Sequence, residues 1–168
     1  MLKLFAGRTG YILGFLVSFG LVALALYLQK AYNLEPCPLC IFQRIAFLVL
    51  GVLFLIAAIH NPTAAVRKTY GLLQFLTAAV GVAIAARHTW IQANPDKVFS
   101  ECGAGFDYIY ETLPFSEFLT WVFKGTGECS AIDWTLLGLT IPQLSLIAFV
   151  GLAIYSIVLI FLANRSGS

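Results

Sequence analysis

Four long apolar runs, at 11–28, 41–59, 70–86 and 144–163, alternate with short polar breaks and one long mixed segment. Each approaches the roughly 20 residues that a helix needs to cross the hydrocarbon core of a bilayer. The second reaches a usable length only with Arg44 counted inside it, which places that guanidinium near the membrane boundary. The third is short and rich in small residues. Its Gly71, Ala78, Ala79, Gly81, Ala83, Ala85 and Ala86 suit close contact between helices. The pattern predicts an all-α integral membrane protein, a four-transmembrane-helix bundle. Residues 1–168 form one membrane domain, with two loops on one side at about 29–40 and 87–143.

Within the second loop the period changes. After Pro114, Phe115, Phe118, Leu119, Val122 and Phe123 recur at helical spacing, while Ser116, Glu117, Thr120 and Lys124 take the opposite face. This predicts a short amphipathic helix that lies on the membrane surface. Gly125-Thr126-Gly127 ends it, and Gly103-Ala104-Gly105 loosens the chain earlier in the loop. Composition agrees with the membrane reading: 60% of the chain is hydrophobic and 11% charged, against roughly 25% charged in soluble domains.

Charge orients the bundle. Lys3 and Arg8 precede the first run, Arg67 and Lys68 separate the second from the third, and Arg165 follows the fourth. Lys30, Arg44 and Arg87 lie near span ends on the other side, and all eight acidic residues fall in the two loops there. Positive charge near span ends marks the cytoplasmic side, and the first span usually dominates. Both termini are therefore expected in the cytoplasm. Ala23-Leu24-Ala25 resembles a signal-peptide cleavage site. The apolar run continues to Leu28 without a polar break, however, so it reads as a span.

The candidate chemistry sits at Pro36-Cys37-Pro38-Leu39-Cys40. A CxxC pair brings two thiols close enough to form a readily exchanged disulfide. Standing just ahead of an apolar run, Cys40 is expected at or near a helix N-terminus, where the helix dipole favours a thiolate. Arg44, four residues on, shares a helix face with Cys40. It either serves a ligand or simply reaches for headgroups. All four cysteines, Cys37, Cys40, Cys102 and Cys129, lie in the two outward loops, the side on which disulfides persist. The natural pairs are Cys37–Cys40 and Cys102–Cys129, although three pairings are possible. A zinc site of four thiolates is disfavoured, because only one half-knuckle is present and the other two cysteines are far apart. No metal is expected. His88, at the outer end of the third run beside Trp90, is expected at the depth of Cys40 and Arg44, within reach of a bound ligand.

The four spans and the Pro-Cys-x-x-Cys with Arg44 beyond it together resemble the DsbB family of disulfide bond formation proteins. Arg87-His88-Thr89, the separated cysteine pair and the run Cys129…Trp134-Thr135-Leu136-Leu137-Gly138-Leu139…Pro142-Gln143 share that resemblance, which covers nearly the whole chain. It implies a bacterial inner-membrane oxidoreductase that reoxidises a DsbA-like periplasmic thioredoxin-fold donor of disulfides. Electrons would pass through two cysteine pairs to ubiquinone or menaquinone, not covalently held in the resting state. Partners would be that donor, the quinone pool and the bilayer, with no nucleic acid. Carried over by residue, Cys102 is the cysteine attacked by the donor and Cys129 its partner. Cys37–Cys40 is the quinone-facing pair with Cys40 nearest the ring, Arg44 hydrogen-bonds a quinone oxygen, and His88 lies nearby. Gln43 departs from the family's acidic residue, which leaves the tuning of the quinone site open. Two other readings compete. An enzyme like vitamin K epoxide reductase also joins four helices, CxxC and quinone, but places its CxxC late in the chain. A non-catalytic membrane protein could use the thiols as metal ligands.

Overall fold

The computed structural model describes residues 8–34, 36–97, 114, 117, 127–130, 132 and 134–165. Its helices are α1 (Arg8–Tyr32), α2 (Pro38–His60), α3 (Ala64–Ala93), the single turn α4 (Gly127–Ser130) and α5 (Ile141–Arg165). A 3₁₀ turn (Pro95–Lys97) follows α3, and two short strands, β1 (Thr135–Leu136) and β2 (Leu139–Thr140), precede α5. α1, α2, α3 and α5 are each long and apolar enough to cross a membrane. The protein is an all-α bundle of four spans, as the hydrophobic pattern predicts. The amphipathic surface helix expected after Pro114, like Cys102, lies outside the described residues.

Polar chemistry at the helix ends explains where they start and stop. Cys37 is the N-cap of α2 with extended backbone, and Pro38 occupies the first turn, where its missing N–H costs nothing. The helix stops at Asn61, which takes the left-handed conformation (φ 41°) and donates its N–H to the Ala57 carbonyl. At the start of α5 the Gln143 side chain reaches back to accept the Thr140 N–H at 2.9 Å, one half of a capping box. The hairpin just before it turns through Leu137 and Gly138, both at positive φ, the geometry of a tight turn matching strand twist.

The bundle packs as two close pairs, α1 with α2 and α3 with α5, with α3 also against α2. In lipid, helix association relies on van der Waals fit rather than on water release. The fit here sets small residues against rings. Phe19 lies over Gly51 and Phe54 over Gly14. On the third span, Gly71, Ala78, Gly81 and Ala85 turn inward as the small-residue pattern suggests, whereas Ala83 and Ala86 face outward. The Phe149 ring rests on Gly81 and stacks on Phe47 at a centroid distance of 3.8 Å. Long side chains such as Leu16, Ile59 and Phe161 point outward, the reverse of a soluble domain. Gly81→Val should therefore push Phe149 off its stack and cost about 1–3 kcal/mol. Thermal unfolding in detergent should show a lower midpoint, while Ala83→Val on the outward face should leave it unchanged.

Candidate functional site

The site forms where the N-terminus of α2 meets the outer end of α3. Cys40 N–H and Ile41 N–H both donate to the Cys37 carbonyl, at 3.0 and 3.2 Å. The first turn thus wraps Cys40 beneath Cys37, as expected of a CxxC at a helix start. The Cys37 thiol donates to Cys40 Sγ at 3.0 Å. Cys37 is buried while Cys40 remains partly open.

Two further side chains converge on Cys37 from elsewhere in the chain. Cys129, on α4, is buried with its sulfur within 4.8 Å of Cys37 Sγ, and α4 packs against α3. His88 Nε2 lies 3.6 Å from Cys37 Sγ. The thiols of Cys37 and Cys129 and a ring nitrogen of His88 all fall within 4.8 Å of one another. Cys37, Cys40 and Cys129 are all thiols in this structure. The neighbouring Cys129 thiol, then that of Cys40, then burial push the Cys37 thiol above its ordinary range. Cys37 therefore keeps its proton.

Behind His88 stands Gln43, whose Nε2 is 3.0 Å from His88 Nδ1. With the amide so placed, Nδ1 accepts and Nε2 carries the proton toward Cys37. Both side chains are almost wholly buried. The residue that left the site's tuning open in the sequence thus sets the orientation of the histidine.

Arg44 turns toward α1. Its Nη1 donates to Gln29 Oε1 of α1 at 2.6 Å, and the guanidinium is partly buried. It lines one cavity together with Cys37, Cys40, Gln43 and His88, and with apolar walls that include Leu21 and Ala148. Gln92, one helical turn beyond His88, also lines this cavity and accepts a 2.7 Å hydrogen bond from Thr140 Oγ1. That bond ties the start of α5 to the end of α3. At the mouth Trp134 packs on Tyr32, with ring centroids 6.1 Å apart. Sequence reasoning missed Gln29 and Gln92. For Gln29 the available signal was a glutamine at the end of an otherwise apolar run, where a polar amide needs a partner; Gln92 lies beyond its run and carried no such signal.

The cavity joins mostly apolar walls to a partly buried guanidinium and the partly open Cys40, a lining that suits a flat apolar molecule carrying an oxygen that accepts a charge-assisted hydrogen bond.

A cluster of thiols at the mouth of a four-span bundle, opening on an apolar cavity, defines a membrane thiol redox protein. The family model described as "Disulfide bond formation protein DsbB" matches residues 7–159. A relative named "Disulfide bond formation protein B", from Methylobacillus flagellatus, is 71% identical over 159 residues, covering 95% of this chain and 96% of its own. Similarly named proteins are 51% identical in Xanthomonas oryzae pv. oryzae, over 95% of this chain and 93% of that one, and 50% identical in Xylella fastidiosa, over 94% and 92%. The chain belongs to the DsbB family. It is a multi-pass membrane disulfide-forming oxidoreductase, and the alternative likeness to vitamin K epoxide reductase falls away.

Proposed function

We propose that the protein reoxidises a DsbA-like periplasmic thioredoxin-fold donor and passes its electrons through two cysteine pairs to a membrane quinone. The observation that supports this most is the position of Cys37, which touches Cys129 on one side and Cys40 on the other. The route begins when a donor thiolate attacks Cys102 of a Cys102–Cys129 disulfide and expels Cys129. Cys129 Sγ then attacks Cys37 of the Cys37–Cys40 disulfide, expelling Cys40 beside the cavity. The sulfur whose thiol is the harder to deprotonate is the poorer leaving group, so Cys37, whose thiol is held above its ordinary range, is the sulfur attacked and Cys40 the one released. The donor's second thiol then displaces Cys102 and completes the donor's disulfide. The freed Cys102 attacks Cys129, which reforms the Cys102–Cys129 disulfide and releases Cys37, so that the two electrons rest on the Cys37–Cys40 dithiol.

A bound quinone supplies the acceptor for two electrons and two protons. Arg44, held by Gln29, places positive charge where a ring oxygen would gain negative charge, a preorganised use of charge in a dry site. His88, aimed by Gln43, holds a proton at Nε2 beside the sulfurs. Arg67 and Lys68 lie at the end of the bundle away from the cysteines. That supports an inner-membrane protein with cytoplasmic termini and a periplasmic thiol face.

The test uses the full chain in liposomes with reduced thioredoxin-fold donor. Donor oxidation should require added quinone, with one quinone reduced per donor disulfide formed. Cys37→Ser should abolish both signals. Equal donor oxidation without quinone, or quinone reduction persisting in Cys37→Ser, would overturn the route.

A further inference from the structure

We infer that the fully reduced site is also a binding site for a zinc-class cation, ligated by Cys37, Cys40, Cys129 and His88. A four-thiolate zinc site is poorly supported by the cysteine spacing, and the structure assembles a different donor set. Three thiols and one imidazole are the ligands of a common tetrahedral zinc site. Zinc–sulfur bonds of about 2.3 Å and zinc–nitrogen bonds of about 2.0 Å put tetrahedral ligand atoms roughly 3.5–3.8 Å apart. His88 Nε2 and Cys37 Sγ stand 3.6 Å apart. The Cys37, His88 and Cys129 donor atoms lie within 4.8 Å of one another. Cys40 stands outside that group of three, but its sulfur is 3.0 Å from Cys37 Sγ, so a turn of the Cys40 side chain is what completes the set around an ion.

The surroundings suit a cation as well. A ligating histidine is fixed by a hydrogen bond to its other ring nitrogen. Gln43 already sits at His88 Nδ1. A half-turn of its amide exchanges Nε2 for Oε1, so the imidazole proton moves to Nδ1 and the Nε2 lone pair turns toward the thiols. Glutamine can serve both tautomers in place. Cys37, Cys129 and His88 are buried, which suits thiolates that give up their protons as the ion binds.

Such a site follows the redox state. Closing the Cys37–Cys40 disulfide removes two ligands, and closing a disulfide through Cys129 removes a third. The cation therefore binds only when electrons have accumulated on the protein, and it blocks thiol exchange until it leaves. Zinc would act as a reversible brake on the reduced form.

The test titrates Co²⁺, a spectroscopic stand-in for zinc, into the full chain in detergent, reduced and then freed of reductant under nitrogen. One Co²⁺ should bind per chain with the visible bands of a tetrahedral ion. Near-ultraviolet sulfur-to-cobalt charge transfer should have an intensity corresponding to three thiolates. Zn²⁺ should displace it, and diamide, a two-electron thiol oxidant, should release it. Cys129→Ser should cut the charge transfer to two thiolates, and His88→Asn should weaken binding by about tenfold or more. Two thiolates per cobalt in the unaltered protein, or weak octahedral bands, would reduce the site to simple CxxC chelation and overturn the inference. Since the charge transfer of the unaltered protein counts thiolates directly, that outcome does not depend on the variants folding.

Discussion

Cys129→Ser is expected to abolish turnover and to leave the protein caught on its donor. The serine preserves volume in a buried position and leaves the Cys37–Cys40 pair in place. What it removes is the sulfur within 4.8 Å of Cys37 Sγ. Cys102, left as a lone thiol, can still attack the disulfide of an oxidised donor, but the mixed disulfide it forms has no route by which electrons pass inward. Steady-state oxidation of the donor should fall by about a thousandfold or more, the scale of losing a covalent catalytic group. Non-reducing electrophoresis after mixing with oxidised donor reads the adduct directly. The Cys37–Cys40 half-reaction should survive, because a small dithiol reductant can reach Cys40 through the open side of the cavity. If no adduct forms, or if the small reductant fails as well, the relay through Cys129 is wrong.

The architecture was legible in the sequence because the bilayer imposes a strict rule. Every backbone amide in hydrocarbon needs an internal partner, so a long apolar run has only one outcome. The lengths were less legible. The first apolar run covers 11–28, whereas the helix is Arg8–Tyr32. The third covers 70–86, whereas the helix is Ala64–Ala93. Hydropathy reports where lipid ends, but the hydrogen-bond ladder continues through Arg67, Lys68 and Arg87 into the interface. Cys40 at a helix start was legible for a local reason, since Pro38 followed by an apolar run fixes the boundary. The hairpin at Thr135–Thr140 was not, because its turn residues, Leu137 and Gly138, lack the usual Asn-Gly signature.

The site was legible as a set of residues and not as a geometry. Nothing local joins Gln43 to His88, 45 positions away, or Arg44 to Gln29, 15 positions away. Those contacts arise only from how α1, α2 and α3 lean together. Along the chain Gln43 looks like a missing charge, while the structure uses its amide as a neutral partner that fixes a tautomer. The approach of Cys129 to Cys37 across two loops is likewise a tertiary fact. It also turns a cysteine assigned to an outer pair into a neighbour of the inner one.

Arg44→Lys is expected to lose most of what Arg44→Ala loses. An arginine that merely anchors a helix at the headgroups can be replaced by lysine, which keeps the charge and the flexible stem. Arg44 is differently placed, with one nitrogen donating to Gln29 and the rest of the guanidinium facing the cavity beside Cys40. A planar fork can make both contacts at once, whereas a single ammonium must choose between them. The lost charge-assisted bond is worth about 1.5–3 kcal/mol, or roughly ten- to a hundredfold. It should appear as weaker apparent affinity for quinone, with thiol exchange between the donor and Cys102–Cys129 preserved. Gln29→Leu keeps the arginine but frees it, so it should raise the apparent quinone KM by a smaller factor than Arg44→Ala does. The measurement is steady-state donor oxidation at varied quinone for the parent and all three variants, alongside stopped-flow formation of the donor mixed disulfide. Unchanged quinone dependence in both Arg44 variants would make the residue an anchor after all. Loss of mixed-disulfide formation in step with quinone use would instead mean that Arg44 holds the bundle together rather than the acceptor.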